Sequence, residues 1–302
     1  SNHGMMVAST IISHWPGQLM GSAPHASLVL AVTENTASET RIEEFAWIEA
    51  AEWADSLGAD VLNTSLGYSV FDDTTYNYNY VDMDGKTAFI TRASAMLPGK
   101  GILGVSSAGN EGNDPWYYIT APADAPGILT VGAVDTSGII AGFSSHGPTY
   151  DHRIKPEVVG VGSLTALQGT GGEPVLGFGT SFSSPLVAGA VAALWQAYPA
   201  MPVHELIRSV ISSANRYRNP NTTYGYGIPD VGRAFHAITP AHVPFAPENV
   251  RTYPNPFNDR IYVEIPTRHA GTFHVKIFDL QGRKVLSLQG DLPGQLLMPR
   301  EL

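Results

Sequence analysis

Cysteine is absent from this 302-residue chain. A disulfide framework, a thiolate metal site and a cysteine nucleophile are therefore all excluded. Charge is sparse, at 15% of residues, and it leans acidic: 17 Lys and Arg against 27 Asp and Glu give a formal net charge of -10. No basic cluster offsets that balance, which argues against nucleic acid or an anionic membrane as partner through like-charge repulsion. Long apolar runs are missing as well, none approaching the roughly 18 residues of a membrane span. The first ten residues lack the pattern of a signal peptide. The chain also has no initiating methionine, opening SNHGMMVAST, which predicts a piece of a longer product.

What is present suits a compact, loop-rich protein: 43% hydrophobic residues, 31 glycines and 22 prolines. The length allows one substantial core and a small second module.

The stretch around which the rest is organised is GFGTSFSSPLVAGAVAAL, residues 177–194. Glycines at 177 and 179 allow a sharp turn, and the run from Ser183 onward reads as a buried helix. Ser181 then sits at a helix N-terminus, where the macrodipole and unpaired N–H groups can stabilise an oxyanion. An ordinary N-cap is the other use of a serine in that place.

Upstream, Ser27 to Val32 is a short apolar run that suits a buried parallel strand. A helix follows from about Thr40 to Leu57, with Ile42, Phe45, Ala46, Trp53 and Leu57 marking one face, capping-box spacing between Thr40 and Glu43, and Gly58 as the stop. Strands are expected in ADVLNTSLGY, in GILGVSSAGNE and in ILTVGAVD, and a further helix over Val203 to Ala214. The order β-α-β-α-β predicts an α/β fold with a mostly parallel sheet and helices on its faces. Ligands bind such sheets beyond the carboxyl ends of the strands. Asp82, Asp84 and Gly85 have the beginning of a calcium loop but no closing glutamate, so a structural calcium and a solvated loop both remain open. Past Ile238 comes a proline-bearing connector. Beyond it Ile261, Val263 and Ile265 alternate, as do Phe273, Val275 and Ile277, with a turn at 279–282 before Val285, Leu286 and Leu288. That rhythm predicts a small antiparallel β module.

Gly179, Thr180, Ser181 and Pro185 closely resemble the serine segment of the subtilisin-like serine proteases, the subtilases. HGMMVAST resembles their histidine segment: His3, Gly4, Val7 and Ala8 match, while Met5 stands for a hydroxyl residue and Ser9 for a glycine. Ser65, Leu66 and Gly67 resemble the segment that pairs with an extended peptide. Ser106 to Asn110, which includes Ser107, Ala108 and Gly109, resembles the wall of the primary specificity pocket followed by the oxyanion asparagine. FSSHGP and YGYGIPDVGRAF resemble family segments that flank the serine, with His146 read as structural. The resemblance covers 1–238, with 239–250 as linker. Residues 251–302 resemble the C-terminal sorting domain of the type IX secretion system of Gram-negative bacteria, expected as a β-sandwich-like domain whose last strands are cut short.

These resemblances imply a serine endopeptidase acting on polypeptides, secreted or held at the surface of a Gram-negative cell, with the type IX machinery as partner. Ser181 is the implied nucleophile, His3 the general base and Asn110 the oxyanion donor, with Thr180 supporting it. No cofactor is implied for the chemistry. The family's order is Asp, His, Ser, and no motif here matches the aspartate segment. The acid is thus expected outside this sequence, and the stretch alone is expected to be nearly inert. Two rivals are an α/β-hydrolase, which would need glycine where Ser183 stands, and a non-catalytic surface protein that keeps the scaffold for binding.

Overall fold

The computed structural model describes residues 2–238 and the strands at 251–253, 262–264, 271–278, 284–292 and 295–297. The chain divides into two compact units, Ser1–Val243 and Pro244–Leu302.

The larger unit begins with α1 (His3–Ile12) and a short hairpin of β1 (His14–Trp15) and β2 (Leu19–Met20). Then come α2 (Ile42–Ser56), β3 (Val61–Thr64), α3 (Phe89–Ser94), β4 (Leu103–Ser107), β5 (Leu129–Val134) and β6 (Val158–Val161). An antiparallel pair follows, β7 (Ser163–Gln168) with β8 (Pro174–Phe178), leading into α4 (Thr180–Ala197), α5 (Val203–Ser213) and α6 (Val231–Ala237). The central sheet is wholly parallel, in the order β3-β4-β5-β6.

Alternation along the strands sends neighbouring side chains to opposite faces, and β3 shows it: Val61 packs into one core and Leu62 into the other. The first core joins Leu103, Val105, Leu129, Val131 and Val158 of the sheet to α4, α5 and α6. The second gathers Trp47 of α2, Ile90 of α3 and Tyr68, Phe71, Tyr78 and Met83 of the connecting loops. Helices therefore cover both faces. α4 is buried on nearly every side, which explains its run of small and apolar residues in place of a single apolar stripe.

Two expectations fail here. Ser27 to Val32 is not a strand; Leu30 is 63% and Val32 94% exposed. An apolar run becomes a strand only beside a partner, and among the described residues no strand lies next to it, β3 being the sheet's edge. The inner face of α2 is also not the one its large apolar residues mark. Ile42, Phe45, Trp53 and Leu57 are exposed, whereas Glu43, Glu44, Trp47 and Ala51 are buried. Hydrogen bonds decide this orientation. Glu44 accepts from Arg41 Nε at 2.9 Å, the Tyr78 hydroxyl at 2.7 Å and the Ile90 N–H at 3.2 Å. Glu43 accepts from the N–H groups of Thr40 at 2.6 Å and Asn35 at 3.1 Å, so the expected capping pair is formed in one direction only.

In the smaller unit β9 (Arg251–Tyr253), β10 (Tyr262–Glu264) and β13 (Gln295–Leu297) form one antiparallel sheet in the order β13-β10-β9. β11 (Gly271–Phe278) and β12 (Lys284–Leu292) form a second. Val275 pairs with Leu288 and Ile277 with Leu286, so the alternating apolar positions of the two strands stand in register. The expected linker 239–250, Ile261, Ile265 and the turn at 279–282 lie outside the described residues.

Candidate active site

Three chain segments meet at the carboxyl ends of the parallel strands. β3 ends at Thr64 and runs into Ser65, Leu66 and Gly67; β4 ends at Ser107 and runs into Ala108, Gly109 and Asn110. α4 brings Thr180 and Ser181 to the same edge with its first turn. Gly179 precedes it at φ 144°, a backbone region that disfavours any residue with a Cβ. A glycine is required there for the chain to turn from β8 into the helix.

Thr180 locks α4 to the end of β4. Its N–H donates to Asn110 Oδ1 at 2.9 Å and its hydroxyl lies 3.1 Å from the same oxygen. That hydroxyl also lies 3.1 Å from the Gly109 carbonyl oxygen and accepts from the Gly109 N–H at 3.2 Å. Because the Asn110 oxygen is taken up by Thr180, the amide NH2 is its other end, on an exposed side chain at the rim.

Ser181 is half-buried, and its hydroxyl donates to the Ser65 carbonyl oxygen at 3.3 Å. The same two residues are joined a second time in the other direction. Pro185 has no N–H to give the Ser181 carbonyl four residues back, and Ser65 Oγ supplies the missing donor at 2.9 Å. Asn63 Nδ2 donates to Ser65 Oγ at 2.9 Å, and Ser184 Oγ donates to Asn63 Oδ1 at 2.8 Å. Sequence reasoning passed over Asn63 and Ser184. The proline four residues after Ser181 was the visible sign that a side chain must serve that carbonyl.

His3 is the first residue of α1, and α1 packs against α4 and β7. Its ring centroid lies 5.8 Å from that of Phe182, the residue after Ser181. Partial burial there lowers its pKa below the usual imidazole value, which favours the neutral form. Ser9, one of the two departures from the family pattern, has a structural use. Its hydroxyl donates to the Met6 carbonyl at 2.6 Å and accepts from the Gln168 N–H at 3.0 Å, tying α1 to β7. Met5, the other, is exposed at 39%.

Of the positions singled out, the structure joins Ser65, Gly109, Asn110, Thr180 and Ser181 by direct hydrogen bonds. Gly67 is exposed beside them, Leu66 is packed into the second core, and Ser107 and Ala108 are buried. Asp82 and Asp84, for which a structural calcium and a solvated loop were both open, serve local turns. Asp82 accepts from the Asn79 N–H at 2.7 Å, and Asp84 from the N–H groups of Lys86 at 3.0 Å and Thr87 at 2.8 Å. Glu34, Glu39 and Glu43 are a closer acidic group, with carboxylate oxygens within 4.8 Å of one another. Glu34 accepts from the Tyr68 hydroxyl at 2.7 Å.

Residues 1–227 match the model of the subtilase family. The chain belongs to that family. Residues 251–295 match the model of a secretion system C-terminal sorting domain, the type IX sorting tail that the sequence resembles. Among curated relatives, subtilisin E of Bacillus subtilis is 32% identical over 241 residues, covering 78% of this chain. The match spans 56% of the length of that relative. The subtilisin of Bacillus pumilus is 31% identical over 241 residues, with 77% of its length covered. Among solved structures, the self-cleaved protease domain of PatA superposes with a TM-score of 0.62 at 25% identity, over 78% of this chain and 82% of that one. The parallel sheet flanked by helices is thus the subtilase α/β fold. Among the described residues no helix is long and apolar enough to cross a membrane.

Proposed function

We propose that this subtilase chain carries the peptidase machinery of a secreted serine endopeptidase, with Ser181 as nucleophile, His3 as general base and Asn110 as oxyanion donor. The observation that carries the reading is the double lock of Thr180 on Asn110 Oδ1. It fixes an amide at the start of the helix that bears Ser181. The backbone N–H of Ser181 lies in the first turn of α4, where N–H groups have no intrahelical acceptor. Together the two donors form a pair for an oxyanion.

In the proposed reaction Ser181 Oγ bonds to the peptide carbonyl carbon as its proton passes to His3. Collapse breaks the carbon–nitrogen bond, and His3 gives that proton to the leaving amine. Water then attacks the acyl-enzyme, losing a proton to His3; the bond to Ser181 breaks and the proton returns to its oxygen. The lowered pKa of His3 keeps a neutral imidazole available as base near neutral pH. Ser65 to Gly67 and Ser107 to Gly109 flank the substrate on its two sides. No residue of this chain is assigned as the acid that orients His3. The sorting tail directs export by the type IX machinery, placing the enzyme outside a Gram-negative cell.

A fluorophosphonate probe applied to the full-length protein tests this reading. Labelling of Ser181 that is lost in Ser181→Ala is expected. A folded, full-length protein that takes up no probe would sink the peptidase reading and leave a binding protein on a subtilase scaffold.

A further inference from the structure

Phe182 follows Ser181 in α4, and the reading above gives it no task. It is only 6% exposed, yet among the described residues it belongs to neither of the two cores that hold the sheet between its helices. Its neighbours are instead the β7–β8 pair and His3. We propose that Phe182 is the positioning residue of the general base: its ring is a fixed, dry wall that sets the orientation and the hydration of the His3 imidazole. This rests on the peptidase reading and deepens it, adding a residue that acts on the reaction through His3.

The ring is braced by the antiparallel pair. A Cβ added to Gly177 of β8 would come within 3.0 Å of Phe182 Cε2 and 3.4 Å of Cδ2, so the ring packs there on bare backbone. The same Cβ would overlap Leu167 Cδ1, and Leu167 of β7 is itself 1% exposed. Gly177 thus admits both side chains, and a larger residue would displace one of them. Leu167 stands next to Gln168, whose N–H donates to the Ser9 hydroxyl of α1 at 3.0 Å. The helix that begins at His3 is in this way registered to β7, and β7 to the ring. His3 meets that ring at a centroid distance of 5.8 Å and an interplanar angle of 47°. The separation falls in the roughly 4.5–7 Å range of aromatic pairs. A phenyl ring offers no hydrogen bond and keeps water off the side it covers, which costs an imidazolium more than a neutral imidazole. Burial accordingly lowers the pKa of His3. The elements packed against α1 add no charge of their own: α4, β7 and the segment 21–23 bonded to its far end carry no titratable side chain, and α1 has none besides His3. His14 comes after that far end and packs edge-on against His25.

The test uses the full-length protein and the rate at which a generic fluorophosphonate inactivates it, measured between about pH 5 and pH 9. In wild type the rate is expected to rise with pH as His3 loses its proton and then to level off. Phe182→Ala lets water onto the imidazole and frees it to turn. The apparent pKa of the rise should move up by about half a pH unit or more. The plateau rate should fall about tenfold. Phe182→Leu keeps an apolar wall, so it should hold the apparent pKa within about 0.2 pH unit of wild type and recover most of the plateau. If Phe182→Ala does not fold, Phe182→Gln, which brings a polar end to the same place, takes its part with the same expected rise. An apparent pKa that stays or falls in that variant, whatever the plateau does, makes the ring a packing residue and overturns the assignment. The peptidase reading then still stands, because wild type has reacted. Folded wild type that takes up no probe at any pH overturns both.

Discussion

Ser65 Oγ donates at 2.9 Å to the Ser181 carbonyl oxygen, the acceptor that Pro185 leaves unserved within α4. The strand-end segment and the helix that bears Ser181 are thereby registered against each other by a bond that exists because of a proline. Ser65→Ala removes it and leaves a half-buried carbonyl without its donor. A shift of the reacting oxygen by a fraction of an ångström is expected to lower kcat/KM by roughly ten- to a hundredfold. Pro185→Ala restores an N–H in the helix that can reach the same carbonyl. The double variant should therefore recover a large part of the loss, a coupling that steady-state kinetics on the four proteins of the cycle will show. Simple additivity of the two losses would mean that the bond does not position Ser181.

Asn110 has a structural and a chemical end, and one substitution separates them. Asn110→Asp keeps an oxygen for the Thr180 N–H and hydroxyl but puts a second carboxylate oxygen where the NH2 group was. The fold should melt near the wild-type temperature. Losing an oxyanion donor costs roughly 10²- to 10³-fold in kcat, a magnitude known from subtilisin and carried over here as the expectation for Asn110→Ala. Asn110→Asp should fall further, since its charge opposes the developing oxyanion, with KM nearly unchanged in both. A normal kcat in Asn110→Asp would remove the residue from the oxyanion site.

Local patterns made much of this architecture readable. α4, α5 and the strands β4 and β5 follow from apolar runs bounded by glycine and proline, and Ser181 falls at its helix start for the same reason. The orientation of α2 was not readable, because the burial of Glu43 and Glu44 depends on donors from Tyr78, Ile90 and Asn35, far away in sequence or outside the helix. A single-helix pattern carries no information about those donors.

The apolar surfaces that the fold leaves in water make a prediction of their own. Leu30 and Val32 in the unpaired segment, and Ile42, Phe45, Trp53 and Leu57 on α2, are each close to half exposed or more. Exposed apolar surface of this kind promotes association. Leu30→Lys with Val32→Lys should raise the concentration at which this 302-residue chain begins to scatter light. Because neither side chain is buried, the cost in stability should stay within about 0.5 kcal/mol. Denaturant melts and light scattering together check both halves of that expectation. An unchanged scattering threshold would show that association proceeds through a different surface.

Glu39 gives the larger unit a pH dependence whose sign is opposite to that of a salt-bridged acid. Burial, and then the neighbouring charges of Glu43, Glu34 and Asp72, push its carboxyl from 4.5 up to about 7. A group whose pKa is higher in the folded than in the unfolded state binds its proton more tightly when folded. Its contribution is therefore fully present below pH 4.5 and is lost as pH rises through about 7. Glu39→Gln keeps the shape and removes the charge. It should leave stability near pH 4.5 almost unaltered, raise it above pH 7 and flatten the decline in between. Chemical denaturation at a series of pH values reads this out directly, and a Glu39→Gln protein that loses stability in parallel with wild type across that window would show that the acidic group around Glu34 and Glu43 tolerates the ionised Glu39 carboxylate.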